Sequence, residues 1–492
     1  MGETLIGDVN RIGVFIDGGL HPSKGESLFD VVNPSNGQLL FSMSAGDAAD
    51  ANGAVAAARR SFEDGRWRST APSFRKMAMH RFADTIAAQA SVLDALDAEE
   101  MGKPIALSRF NAECAAGLMR FYAECIDKVT GDVLESDAWS FVALRCVPRG
   151  VVAAIVPWNF PTFNAVLKIA PALAAGNSIV LKPSELSTRS SLMVARLAME
   201  AGIPPGVLNV VPGLGETTGR ALGLHHDVDM VAFTGSTEVG KQFLQYSAQS
   251  NMKVVMTECG GKSPQIVFAD GIDLEAAGEA IANHVIANQG QICSAGSRLL
   301  VHASIEAALL DRIKARLGAV KMGSALDPTT KCGPVASSHQ CARILQYFDC
   351  ALSDGATLSC GGQRVLRETG GYFIEPTVFC DVTPKTKIAQ EEVFGPVLSV
   401  ISFDDETQAI EIANGTVYGL VSYVWTTRLS TAMRMAKSIR SSVVVNSALP
   451  HGEGAGHALS SEPARQSGIG VEGGMPGLES YLRRQFVWFN HS

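Results

Sequence analysis

No Cys-x-x-Cys pair occurs anywhere in the 492 residues, although the chain holds ten cysteines. A secreted disulfide scaffold would be far shorter and denser in cysteine, so the thiols are expected to be reduced in a cytoplasmic protein, with no metal site. Basic excess is missing too. Lys and Arg number 41 against 49 Asp and Glu, a net charge of −8 that leaves no electrostatic footprint for nucleic acid or anionic membrane. The first residues lack a basic stretch followed by an apolar one, so no secretory leader is expected, and Ile6 stands where a myristoylation motif wants Ser or Thr. Nor does an uncharged apolar run of about 20 residues survive. The most apolar region, 151–181, is broken by Pro157, Asn159, Pro161, Asn164, Lys168, Pro171 and Asn177. A soluble protein is expected, without internal repeats or low-complexity segments.

What is there is an ordinary globular balance, 46% apolar and 18% charged, in a chain long enough for two or three domains. Residues 1–50 read as short strands and turns, with a hairpin tip at 15–19. From 47 to 127 the pattern is helical, and 109–128 is its clearest amphipathic helix. A β-rich interruption follows at 129–147. Apolar runs at 152–157, 178–182, 207–211, 230–234 and 253–257 then alternate with helical segments at 162–175, 188–201, 215–222 and 237–249. That alternation implies a doubly wound parallel sheet, which binds ligands at the carboxyl ends of its strands. A second α/β section runs from 260 to 462, with strands at 264–268, 298–301, 397–403 and 442–445. The tail 478–490 carries Tyr481, Phe486, Trp488 and Phe489, too apolar for a free terminus, and is expected to pair with another element or subunit. The stretch 451–457 is Gly-rich and reads as a mobile loop.

Around Cys293 the chain reads Asn288-Gln289-Gly290-Gln291-Ile292-Cys293-Ser294-Ala295-Gly296. Small and polar neighbours allow tight bends and close approach of a ligand, as a nucleophilic cysteine needs, whereas an inert buried thiol usually sits among Val, Leu or Phe. Every strand of the first sheet also ends on unusual residues: Trp158-Asn159, Lys182-Pro183-Ser184-Glu185, Pro212-Gly213-Leu214-Gly215, Gly235-Ser236-Thr237, and Glu258-Cys259-Gly260-Gly261-Lys262. Singly, each admits a structural reading: Lys182 as a surface lysine, Asn159 as a turn residue, Glu258 as a solvated carboxylate. The glycines at 213, 215 and 219 are spaced one residue too long for the dinucleotide fingerprint. Gly235-Ser236-Thr237 opening a helix is a better anion site, through free N–H groups and the helix dipole. Five such ends on one sheet edge point to one ligand site.

With these motifs in this order, and with Glu391-Glu392-Val393-Phe394-Gly395-Pro396 further on, the chain resembles the aldehyde dehydrogenase superfamily, hydrolytic branch, over nearly its whole length. The resemblance implies an α/β fold with a nicotinamide-dinucleotide-binding domain (1–128 and 148–258), a catalytic domain (259–462) and a small β oligomerisation element (129–147 and 475–492). It implies that Cys293 is the nucleophile, that Asn159 and the Cys293 N–H form the oxyanion hole, and that Glu258 is the general base, with Lys168 and Glu472 relaying its proton. Cofactor contacts would come from Lys182 and Glu185 at the adenosine ribose, Ser236 with the Trp158 backbone at the pyrophosphate beside Gly215 and Gly235, and Glu392 and Phe394 at the nicotinamide ribose and ring. NAD is the expected cofactor, NADP a possible one, and a homodimer or homotetramer the expected assembly.

The sequence departs from the family where Ser460-Ser461-Glu462-Pro463 and Arg465 replace a Pro-Phe-Gly-Gly segment and a Lys near the substrate mouth. Val444 replaces a usual Trp, and Cys259 a common Leu. Rival readings are a relative that passes the thioester to coenzyme A, against which Glu258 argues, and a catalytically silent structural member. The texture near Lys182 and 202–206 resembles the amino-aldehyde branch, while the helix at 109–128 offers Glu113 beside Asn111 and Cys114. Aliphatic, aromatic and amino-aldehydes all stay open.

Overall fold

A computed structural model describes residues 13–447 and 456–491, so most of the Gly-rich stretch at 451–457 lies outside the described residues. The chain opens with a hairpin, β1 (Val14–Ile16) and β2 (Gly19–His21), then a second, β3 (Leu28–Val32) and β4 (Leu39–Ser44). Four helices follow: α1 (Ala48–Glu63), α2 (Pro72–Ala88), α3 (Ala90–Met101) and α4 (Ala112–Cys125). Their starts are written locally. Asp47 and Asp50 form a reciprocal capping box on α1, and Asn111 caps α4 by accepting from the Cys114 N–H. The expected helix at 109–128 therefore begins at 112, because Asn111 is its cap. It closes in a 3-10 turn at Ile126–Lys128.

Next come β5 (Asp132–Leu134), β6 (Ser140–Pro148), β7 (Val151–Ile155), α5 (Pro161–Ala175), β8 (Ser178–Lys182), α6 (Arg189–Glu200) and β9 (Leu208–Val210). Pro161 sits in the first turn of α5, where its missing N–H costs nothing, and Gly176 ends the helix in the left-handed region at φ 91°. Pro171 is accommodated inside the same helix. The expected helix at 215–222 is a π turn, Gly215–Gly219, running into a short α7 (Arg220–Leu224). β10 (Met230–Thr234), α8 (Thr237–Gln249) and β11 (Val254–Glu258) complete the alternation. The sheet order is β2-β1-β9-β8-β7-β10-β11-β21, where β21 is Gly468–Ile469. The five central strands are parallel, as the alternation requires. The antiparallel edges β1 and β21, from opposite ends of the chain, were not legible beforehand. Strand order reverses between β7 and β10, the place where such sheets hold ligands.

The second sheet has the order β14-β17-β18-β13-β12-β19-β20. Its elements are β12 (Pro264–Val267), α9 (Leu274–Ile286), β13 (Arg298–His302), α10 (Glu306–Gly318), α11 (Ser338–Ser353) and β14 (Thr357–Cys360), then β17 (Thr377–Cys380) after a small β15–β16 hairpin (Arg364–Val365 and Phe373–Ile374). β18 (Val397–Phe403), β19 (Val421–Trp425) and β20 (Ser442–Val445) finish it. All its neighbours are parallel except β14 with β17. The tail forms β22 (Leu482–Asn490), which pairs along its whole length with β6 in a three-stranded sheet β22-β6-β5. Among the described residues no helix is long and apolar enough to cross a membrane, no group of His, Cys, Asp and Glu could hold a metal ion, and all ten cysteines are free thiols.

Candidate active site

Cys293 lies between α9 and β13, and the backbone before it is tightly coiled. Asn288, Gln289 and Gly290 are all left-handed, with φ of 46°, 56° and 67°. Glycine is required at 290, since a Cβ there would stand 2.2 Å from the Gly395 carbonyl oxygen. The neighbours Ile292 and Ala295 are buried with Phe160, and Phe110 and Phe163 pack against them, so one side of the segment is an apolar wall. Cys293 keeps partial exposure, and the Ser294 N–H faces its thiol. Cys259 is different. It is buried among Phe233, Phe243 and Val255, and a Cβ on Gly240 would come within 2.8 Å of its sulfur.

Asn159, after β7, is gripped on three sides. Its Nδ2 donates to the Gln291 carbonyl at 2.9 Å, its Oδ1 accepts from Asn164 Nδ2 at 3.1 Å, and its carbonyl accepts from Asn288 Nδ2 at 2.8 Å. The amide is therefore oriented with its N–H side towards the Cys293 segment, and one Nδ2 hydrogen is left for a ligand. Gln291 is held in turn by the Ala336 N–H at 3.0 Å.

Glu258 ends β11 and is buried, with Oε1 unpartnered among the described residues. Lys168, buried on α5 one turn beyond Asn164, is ion-paired with Glu472, and this pair is what the Glu258 carboxyl faces. Burial pushes the Glu258 carboxyl well above the ordinary carboxylate range; the Glu472 charge adds to this and Lys168 opposes it. The Cys293 thiol is pushed up to about 12, by burial first, then by the charges of Glu392 and Glu258. Burial thus raises thiol and carboxyl alike.

On the other flank, Lys182 ends β8 with its Nζ buried and donating to the Pro183 carbonyl at 2.9 Å. Burial lowers its pKa against the charges of Glu185 and Glu216. Beside it, a Cβ on Gly215 would meet nothing within 4 Å. Ser236 caps α8 through the Val239 N–H, and the buried Thr234 Oγ1 has no partner among the described residues. The Gly235 N–H is already used by the Glu258 carbonyl at 3.0 Å, so at this turn Gly235 offers shape rather than a donor. Glu392 accepts from the Gly261 N–H at 3.0 Å and lies so close to Gly260 that a Cβ there would be 2.2 Å from its carboxylate. Burial lifts its pKa to about 7. Phe394 is left-handed at φ 58° and meets Trp158 edge-on, ring centres 5.4 Å apart. Gln340 and Arg343 hold this turn by donating to the carbonyls of Glu392, Val393 and Phe394.

These groups gather where the carboxyl ends of β7, β8, β10 and β11 meet the amino ends of β12, β13 and β18. A thiol, two raised carboxyls and an oriented amide gather at this junction. The Aldehyde dehydrogenase family profile matches residues 21–487.

The chain belongs to the aldehyde dehydrogenase family.

Among similar proteins, the aminoacetaldehyde dehydrogenase of Pseudomonas aeruginosa is 42% identical over 446 residues, 89% of this chain and 88% of that protein. The NADP/NAD-dependent aldehyde dehydrogenase PuuC of Escherichia coli (strain K12) is 40% identical over 489 residues, 98% and 96% of the two chains. An indole-3-acetaldehyde dehydrogenase solved in complex with NAD+ superposes with a TM-score of 0.94 at 44% identity, covering 97% of this chain and 96% of that one.

Several residues of this aldehyde dehydrogenase that shape the cleft escaped the sequence reading. Ser467 is buried, donates to the Gly260 carbonyl at 2.8 Å, accepts from the Gly419 N–H at 2.9 Å, and takes the Cys259 N–H on its own carbonyl at 2.7 Å. Asn164 could have been found, because Asn164 and Lys168 are polar residues four apart on an otherwise apolar helix. In the altered segment, Ser461 and Glu472 exchange backbone hydrogen bonds at 2.9 and 3.0 Å, which places Glu472 beside Lys168. His457 approaches Gly117 and Phe121 on α4. Val444, half-buried, pairs with Tyr423 across β19 and β20.

Proposed function

We propose that this enzyme oxidises an aldehyde to a carboxylic acid with NAD, through a thioester on Cys293. The observation that carries the reading is that the partly exposed Cys293 segment is met by the oriented Asn159 amide and faced by the Glu258 carboxyl, whose Oε1 has no partner among the described residues. Cys293 loses its proton to Glu258 and its sulfur adds to the aldehyde carbon. The carbonyl oxygen becomes an oxyanion held by Asn159 Nδ2 and the Cys293 N–H, donors of a kind worth ~3–4 kcal/mol each. A bound nicotinamide supplies the acceptor for the hydride that leaves the former aldehyde carbon. The acyl group then rests on Cys293 as a thioester. Glu258, having passed the thiol proton on to the Lys168–Glu472 pair, removes a proton from water, the resulting hydroxide attacks the acyl carbon, and the C–S bond breaks to free the acid and the thiolate. The Lys168–Glu472 pair beside Glu258 takes that proton onward.

For the dinucleotide, the open space at Gly215, the orphan Thr234 hydroxyl and the capped start of α8 form a cradle of suitable shape and polarity. Lys182 and Glu185 would hold the adenosine ribose, Ser236 and the Trp158 backbone the pyrophosphate beside Gly215 and Gly235, and Glu392 and Phe394 the nicotinamide riboside. Glu185 and Glu216 near Lys182 would repel a 2′-phosphate. The expectation is a kcat/KM for NAD above that for NADP by roughly tenfold or more, ~1.4 kcal/mol. Steady-state assays with a generic aldehyde, with either cofactor and with or without coenzyme A, test the whole reading. Turnover that needs coenzyme A would place the enzyme in the acylating branch, and equal use of both cofactors would sink the NAD assignment.

In the same reading the protein is a homodimer or homotetramer in the cytoplasm, with 129–147 and 475–492 as its oligomerisation element. Edge strand β22 leaves Phe486, Trp488 and Phe489 58–68% exposed, and Val133 on β5 and Trp139 in the turn before β6 are as open. Such an apolar edge is stable in water only when covered. Light scattering should give at least twice 52.0 kDa at micromolar concentration; a species of 52.0 kDa alone would refute the assembly.

A further inference from the structure

Two buried side chains meet the nucleophile segment just beyond Cys293 and have no part in the chemistry above. His284, in the last turn of α9, accepts the Gly296 N–H on Nδ1 at 3.0 Å. Tyr423, in the middle of β19, donates its hydroxyl to the Ser294 carbonyl at 2.9 Å. The two rings meet edge to face, centres 4.6 Å apart, so each fixes the other. Gln265 closes the same wall, standing 2.5 Å from where a Cβ on Gly296 would be.

We propose that His284 and Tyr423 are a positioning pair that sets the backbone of Cys293, Ser294 and Gly296, and through it the donors around the sulfur. The Ser294 N–H faces the thiol, and the Cys293 N–H is the second oxyanion donor of the proposed mechanism. The Ser294 N–H belongs to the peptide next to the Ser294 carbonyl that Tyr423 anchors, and the Cys293 N–H to the peptide before that. Only a neutral imidazole can accept from the Gly296 N–H. Burial, with the Arg109 charge adding to it, keeps the ring neutral by lowering its pKa to about 3, and the proton then sits on Nε2, which has no partner among the described residues. Burial likewise keeps the Tyr423 hydroxyl protonated and therefore a donor. A buried histidine that leaves one nitrogen unsatisfied carries a cost that an apolar side chain would avoid. The hydrogen bond it makes to the nucleophile segment is what it supplies in return.

The test is alkylation of Cys293 by iodoacetamide, followed by mass spectrometry of the peptide that carries it, between pH 7 and 10 in the intact protein. Losing one such hydrogen bond should slow alkylation about three- to tenfold in Tyr423→Phe and His284→Ala at every pH. The kcat should fall in parallel, and the KM for NAD should stay unchanged. His284→Asn, which offers an oxygen acceptor near the place of Nδ1, should recover most of the rate. Wild-type alkylation in Tyr423→Phe would overturn the proposal, and so would a His284→Asn variant no faster than His284→Ala. Should His284→Ala fail to fold, Tyr423→Phe decides alone, since it removes one oxygen and no volume. The inference rests on Cys293 being the nucleophile. Turnover surviving in Cys293→Ala would end that reading, whereas the alkylation rates report on the pair whether or not the enzyme turns over.

Discussion

Glu258→Gln is expected to turn steady catalysis into a single burst of NADH, close to one per active site, followed by a slow phase. Acylation needs the sulfur, the oxyanion donors and the cofactor, whereas deacylation needs an activated water. The carboxyl that can activate it is buried, with Oε1 unpartnered among the described residues, and Gln keeps its shape without its basicity. A general base of this kind contributes roughly 10²–10⁴-fold, and the slow phase should fall by about that factor in rapid-mixing measurements. The sign of the pH dependence follows from the raised Glu258 pKa. The base form exists only above that value, so wild-type kcat should fall as pH drops through a range above the ordinary carboxylate ~4.3, and the Gln variant should lack that limb. If Glu258 serves chiefly to ionise Cys293, the burst itself slows and high pH restores it. A full-rate steady state with Gln at 258 would remove this residue from the mechanism.

Cys293→Ala should abolish turnover and leave NAD binding intact. The sulfur is the atom that forms and breaks the bond to the substrate, and the proposed cofactor contacts lie on other segments. Isothermal titration with NAD against a turnover assay on the same preparation separates the two. Cys259→Ala is the control, because its thiol is buried in the apolar layer with Phe233 and Phe243. A dead Cys259→Ala beside an active Cys293→Ala would reverse the assignment of the nucleophile.

The parallel alternation and the family were readable in the sequence because each depends on local pattern. Period and turn residues fix strands and helices, so 178–182, 230–234, 237–249 and 397–403 run as expected. The motif residues were readable because chemistry demands particular side chains at strand ends. Tertiary structure alone decided what stands next to what. Three-dimensional packing brings Glu472 from the tail to Lys168, carries Ser467 to Gly260, adds β21 to the edge of the first sheet, and backs Cys293 with His284 and Tyr423. The pKa values of Glu258 and Cys293 belong to the same class. Residue type fixes only the ordinary value, and the shift comes from burial and from charges contributed by other segments of the folded chain.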